Sequence, residues 1–197
     1  MTEDLQQSSL SEVSEPGEFF NEYFASLGDR LNTVSIDHLL RSVEMILAIH
    51  ESGGKVILAG NGGSAAMASH VSVDFTKAAA IRAVTFNEAD LITCFANDYG
   101  YEHWVSSALR HYADQRDLVI LISSSGQSMN IVNAANEART MGLKLITFSG
   151  FAADNPLRQI GDLNFWVDSS SYNIVEMTHH VWLVALVDFI IDQGRGF

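Results

Sequence analysis

Cysteine and positive charge are both scarce in this chain. One cysteine, Cys94, in 197 residues excludes an internal disulfide framework and fits a reducing compartment. Lys and Arg number 11 against 24 Asp and Glu, for a net charge of −13. Nucleic acids and membrane surfaces are met by clustered Lys and Arg, so neither is an expected partner. A cationic and then apolar opening is also missing. The first stretch, "MTEDLQQSSLSEVSEPG", is acidic and polar, and no signal peptide is expected. Nor is there a long unbroken apolar run. The longest, near the C-terminus, is interrupted by His179, His180 and Asp188 and predicts a buried helix, not a membrane span. Together these absences favour a cytoplasmic protein.

What is present is enough apolar residue, 47%, to bury one domain of this length. Residues 1–16 are polar and aperiodic and read as a tail, leaving 17–197 as a single domain. From Glu18, Phe19, Tyr23, Phe24 and Leu27 recur at helical spacing. A second helix is predicted from Ser35 as N-cap, with Asp37 in its first turn, to Gly53-Gly54. Short apolar runs then alternate with helical patterns: "KVILAG", "RAVTF", "LVILIS", "KLITFSG" and "LNFWVD". None of these runs alternates apolar with polar, as expected of strands covered on both faces. The alternation predicts an α/β protein, a central parallel sheet with helices on both sides. Ligands of such sheets lie at the carboxyl ends of strands.

Two turns at those ends are unusual. Gly60-Asn61-Gly62-Gly63-Ser64 follows the first strand and opens "AAMASHVSVDF"; Ser123-Ser124-Ser125-Gly126-Gln127-Ser128 follows "LVILIS" and opens another helix. Glycines admit a ligand close to the backbone, and a helix N-terminus offers N–H groups with partial positive charge. The first turn is neither G-x-G-x-x-G nor a Walker motif. Together the two elbows read as a cradle for one phosphate, without lysine or metal.

"GNGGS", a following helix that ends in His, "ANDYG" and "SSSGQS" resemble the sugar-isomerase (SIS) domain family, and within it the sedoheptulose 7-phosphate isomerases. The resemblance spans roughly residues 20 to 192. It implies a three-layer α/β/α sandwich, a homotetramer with the N-terminal helices in oligomer contact, and active sites between subunits. It also implies a cytoplasmic enzyme of carbohydrate metabolism, serving heptose biosynthesis. The expected reaction converts sedoheptulose 7-phosphate to D-glycero-D-manno-heptose 7-phosphate. By the resemblance Asn61, Gly62, Gly63, Ser64, Asn97 and Asp98 would line the substrate. Ser123, Ser124, Ser125 and Ser128 would hold the phosphate.

Such an isomerisation moves a proton between C1 and C2 through an enediol, which needs a base, an acid for the oxygens and often a cation. The family supplies one zinc per subunit, held by a His and a Glu one turn apart, then by a Gln and a His of the last long helix. Here His70 and Asp74 stand at the first two positions. Aligned through Glu176, Val175 replaces the Gln and Leu183 the His. A site shifted by one turn would use His179 or His180. The expected metal ligands are therefore His70, Asp74, His179 and His180, with Asp74, His179 and His180 as acid and base. The segment "FTKAAAIRAVTF" is shorter than the family's arginine-bearing loop and holds only Lys77 and Arg82 as cations. Its alternative readings are an isomerase of another sugar phosphate, or a non-catalytic SIS protein that binds a sugar phosphate or a replication initiator.

Overall fold

The computed structural model describes residues 15–195. Five strands form one parallel sheet: β1 (Val56–Ala59), β2 (Ala83–Thr85), β3 (Leu118–Ser123), β4 (Lys144–Gly150) and β5 (Leu163–Val167). Their order across the sheet is β2-β1-β3-β4-β5. Alternate residues of the central strands serve different cores. Val56, Leu58, Leu118 and Ile120 pack with α2 (Ile36–Glu51), α3 (Gly63–Lys77) and α7 (Tyr172–Ile190). Ile57, Ala59, Val119 and Leu121 pack with α5 (Trp104–Tyr112) and α6 (Met129–Thr140) on the opposite face. The three layers are those expected, and the two-sided burial explains why β1 and β3 read as continuous apolar runs. "LNFWVD" differs. β5 is an edge strand, and Asn164 and Trp166 are only half-buried while their neighbours are buried.

Two further α-helices are α1 (Pro16–Leu31) and α4 (Ala89–Tyr99), and a 3-10 turn (Leu157–Gln159) and a π turn (Ile191–Arg195) complete the described elements. Residues 1–14 of the expected tail lie outside the described residues. Its last two residues already belong to α1: Glu15 is the N-cap and Pro16 the first helical residue, where a fixed φ suits the turn. Ser35 caps α2 by accepting from His38 N–H at 3.4 Å. α1 buries none of its residues, and Phe19, Phe20 and Phe24 remain exposed. By length and composition the stretch Tyr172–Gly194 could cross a membrane, but half of it is buried inside the fold. Here it is the core helix that covers β4 and β5.

The strand order positions the site. β1 pairs with β2 on one side and β3 on the other. The chain therefore reverses direction across the sheet between β1 and β3, and a crevice opens beyond their carboxyl ends. Both polar elbows leave from those two strands.

Candidate functional site

The elbow after β1 is tighter than its sequence suggests. Asn61 C=O accepts from Ser64 N–H (2.9 Å) and Ala65 N–H (3.3 Å), so α3 starts at Gly63 and its first turn contains Gly63 and Ser64. Gly62 holds φ +53°, which a side chain would disfavour. The elbow after β3 turns at Gly126 (φ +66°), whose N–H donates to Ser123 C=O at 2.9 Å. A methyl group on Gly126 would stand 1.9 Å from Asn155 Oδ1. Asn155 is itself buried and donates to Ser149 Oγ (3.2 Å), Gly150 C=O (3.1 Å) and Ala152 C=O (2.8 Å). The serine elbow is thus clamped from behind by a satisfied amide.

Asn61 and Asn130 bridge the two elbows. Each amide donates its Nδ2–H to the other's Oδ1 at 2.9 Å, and Tyr101 Oη donates to Asn61 Oδ1 at 3.2 Å. Between them lies a cavity of about 90 Å3, room for a phosphate-sized group. Asn61 and Ser64 line it from one elbow and Ser123, Ser124, Ser125 and Ser128 from the other, with Tyr172 and Glu176 of α7 closing the side. No lining residue is Lys or Arg. Ser123 Oγ donates to Ser128 Oγ (3.1 Å), and Ser125 Oγ accepts from Gln127 N–H (3.2 Å). Ser124 is different: its hydroxyl is buried and has no hydrogen-bond partner among the described residues. An unsatisfied buried hydroxyl costs roughly 1–3 kcal/mol, a debt a bound oxyanion would cancel.

The seam between α3 and α7 continues from this cavity. Glu176 sits over Gly63, so closely that a Cβ there would lie 2.2 Å from the carboxylate Oε2. Burial raises the Glu176 carboxyl above its ordinary value. One turn further along α7, His180 Nε2 lies 2.8 Å from His70 Nδ1. The other nitrogen of His70, Nε2, lies 3.1 Å from Asp74 Oδ2. Burial, then repulsion from His70, lowers His180, while Asp74 acts in the opposite direction. Asp74 and His70 are partly exposed, so as a surface pair they contribute about 0.5 kcal/mol or less. Their value lies in holding the ring.

A family model of the SIS domain matches residues 19–150. The chain belongs to the SIS domain family. A phosphoheptose isomerase of Syntrophotalea carbinolica is 31% identical over 178 residues, 85% of this chain and 90% of that protein. A probable phosphoheptose isomerase of Thermoplasma acidophilum is 32% identical over 171 residues, 83% and 92% of the two chains. Among solved structures, a phosphoheptose isomerase from Francisella tularensis superposes with a TM-score of 0.83 at 24% identity, covering 91% of this chain and all (100%) of that one. The Vibrio vulnificus NanR protein complexed with ManNAc-6P shares the fold at a TM-score of 0.70 and 15% identity, over 90% and 62% of the chains.

Within this SIS chain the expected metal ligands do not converge. Val175, His179 and Leu183 form one stripe of α7, and all three are fully buried against the sheet. His179 donates Nε2–H to Ser149 C=O at 3.0 Å and packs on Phe148 and Trp182, so it cannot join His70. The stripe that faces α3 is Glu176 and His180. His70 uses one nitrogen toward His180 and the other toward Asp74, and a single zinc can take only one nitrogen of a ring. Among the described residues no three His, Cys, Asp or Glu side chains are grouped to hold a metal ion. The four-ligand zinc site does not fit this arrangement.

Other expected residues do not line this cavity. Asn97 and Asp98 end α4 and bond each other, Asn97 Nδ2–H to Asp98 Oδ1 at 2.9 Å. Arg82 turns away from the site to the α2–β1 turn, donating to Gly53 C=O and to Gly54 C=O (3.2 Å). Tyr101, Asn130, Tyr172 and Glu176 are the lining or bridging residues that sequence reasoning had not placed in the site. Only Glu176 carried a signal, as the one acidic residue in the first half of an apolar helix.

Proposed function

We propose that the chain is a sugar-phosphate isomerase that interconverts sedoheptulose 7-phosphate and D-glycero-D-manno-heptose 7-phosphate through an enediol. The supporting observation is the cavity at the β1/β3 reversal, lined by five serines, one of them with a hydroxyl in want of a partner. The names of the relatives above support the substrate class. Ser123, Ser124, Ser125 and Ser128 bind the phosphate with neutral donors, which suits a protein of −13 charge because no lysine is needed. Asn61, Gly62, Gly63 and Ser64 orient the sugar. Asn97 and Asp98 reach the far end of the substrate from α4. The His180–His70 pair, its ring held by Asp74, exchanges protons with the sugar oxygens.

Zinc binding would require the His70 ring to give up either Asp74 or His180. The enzyme works in the cytoplasm as a homo-oligomer. Support for self-association is apolar surface. Phe19, Phe20 and Phe24 of α1 are exposed, and Ile36, Leu40 and Phe189 line an open groove between α2 and α7. A non-catalytic sugar-phosphate sensor is the second reading, supported by Val175 and Leu183 where the family's Gln and His are expected. Proton NMR of the purified chain with sedoheptulose 7-phosphate in D2O separates the two. Deuterium entering at C1 with aldose appearing supports the enzyme. Tight binding with no exchange supports the sensor.

A further inference from the structure

The carboxylate expected to work as the carbon base is badly placed for it. Asp74 lies on the far nitrogen of His70, with the ring between it and His180, and it does not line the phosphate cavity. Another carboxylate does. Glu176 borders the same cavity as the serines, and on α7 it precedes His180 by four residues, about 6 Å along the helix axis. Along the seam the groups therefore run in order: serine elbow, Glu176, then the His180–His70 pair. A sugar held by its phosphate on the serines and extending toward the histidines passes the Glu176 carboxylate.

The neighbourhood of Glu176 is also built for a carboxylate. Gly63 leaves the space its Oε2 occupies, since any Cβ would collide with it. The N-terminus of α3 points its partial positive charge at the same place. That has a consequence for the two elbows. The amide end of the first is already faced by an anion, so the phosphate belongs on the serine elbow and the reacting carbons belong near Gly63.

Resting on the isomerase reading above, we propose that Glu176 is the catalytic residue that carries the proton between C1 and C2. From the ketose, the Glu176 carboxylate takes a proton from C1. The C1–H electron pair becomes the C1=C2 bond, and the C2 carbonyl pair moves to O2, which gains a proton from the His180–His70 pair. The enediol then returns the O1 proton to the histidines as C1=O1 forms. The C1=C2 pair takes the proton from the Glu176 carboxylic acid at C2. The product has the atoms of the substrate, and both protein groups are restored.

The test uses the full chain and its Glu176→Gln and Glu176→Asp variants. Deuterium entry at C1 of sedoheptulose 7-phosphate in D2O is followed by NMR, and binding of the same ester is followed by calorimetry. Glu176→Gln is expected to slow exchange by about 10²- to 10⁴-fold, the usual contribution of a positioned acid–base group, with Kd within about threefold of the parent. Glu176→Asp is expected to recover part of the rate. Exchange by Glu176→Gln at near the parent rate overturns this role and leaves the isomerase reading intact. Parallel loss of binding and exchange in Glu176→Gln, without rescue in Glu176→Asp, makes the residue structural and also overturns it. Absence of exchange in the parent chain across ketose and aldose phosphates removes both.

Discussion

Replacing Ser124 by alanine removes a single oxygen from the cavity and should move stability and affinity in different directions. The main chain of Ser124 is held independently, because its C=O accepts from Gly150 N–H at 2.9 Å. Its Oγ has no partner among the described residues, although the residue is only 5% exposed. Leaving such a hydroxyl unsatisfied costs about 1–3 kcal/mol, and deleting it leaves a small void that offsets part of the gain. The unliganded variant should therefore equal the parent in stability or exceed it by up to ~1 kcal/mol. With a phosphate ester bound, the same hydroxyl donates to a dianion, a bond of about 1.5–3 kcal/mol, so Ser124→Ala should weaken Kd by roughly 10- to 150-fold. Ser125→Ala is the control. Ser125 Oγ already accepts from Gln127 N–H at 3.2 Å, so its loss should lower stability by ~1 kcal/mol. Urea unfolding and calorimetric titration with sedoheptulose 7-phosphate read both quantities. A Ser124→Ala protein that binds the ester as tightly as its parent, or unfolds at distinctly lower urea, would refute the reasoning.

Gly126→Ala should be the more damaging change. The left-handed φ costs about 1–2 kcal/mol for a side chain, and displacing Asn155 puts its hydrogen bonds at risk, so a loss of ~2–4 kcal/mol by urea unfolding is expected. His179 gives a pH dependence. Burial lowers it from its ordinary value to about 4, so between those values the unfolded chain binds a proton that the folded chain refuses. Stability should fall as pH drops through that window, by ~1.4 kcal/mol per unit and ~3 kcal/mol in all, and His179→Gln should flatten the slope. The purified chain should elute in gel filtration well above its 21.6 kDa mass, and Leu40→Lys, in the apolar groove beside α7, should shift it toward that mass. Elution of the parent as a monomer would remove the homo-oligomer from the proposal.

The sheet, its order of alternation and both polar elbows were legible because each rests on local chemistry. β1 is an apolar run followed at once by Gly60, β3 is one that ends in Ser123, and Ser35 announces the start of α2. The face of α7 was not legible. Packed on the sheet along 175–179–183 and on α3 along 176–180, the helix is apolar on nearly every side, so periodicity could not choose between adjacent histidines. His179 and His180 differ only in which neighbour the fold brings them. The pairing of Asn61 with Asn130 spans 69 positions, and no spacing rule reaches that far. Asn97 and Asp98 stood out as a motif, yet the fold pairs them with each other at the end of α4.

The doubled amide clasp between Asn61 and Asn130 sets how the pocket meets its guest. It couples the loop after β1 to the helix after β3 through two matched bonds, so neither side can drift without breaking both. The mouth is then held at a fixed gauge before anything enters. A phosphate arriving there meets a rigid gate and loses little free energy to rearrangement of the loops, the condition under which uncharged donors can hold a doubly charged guest.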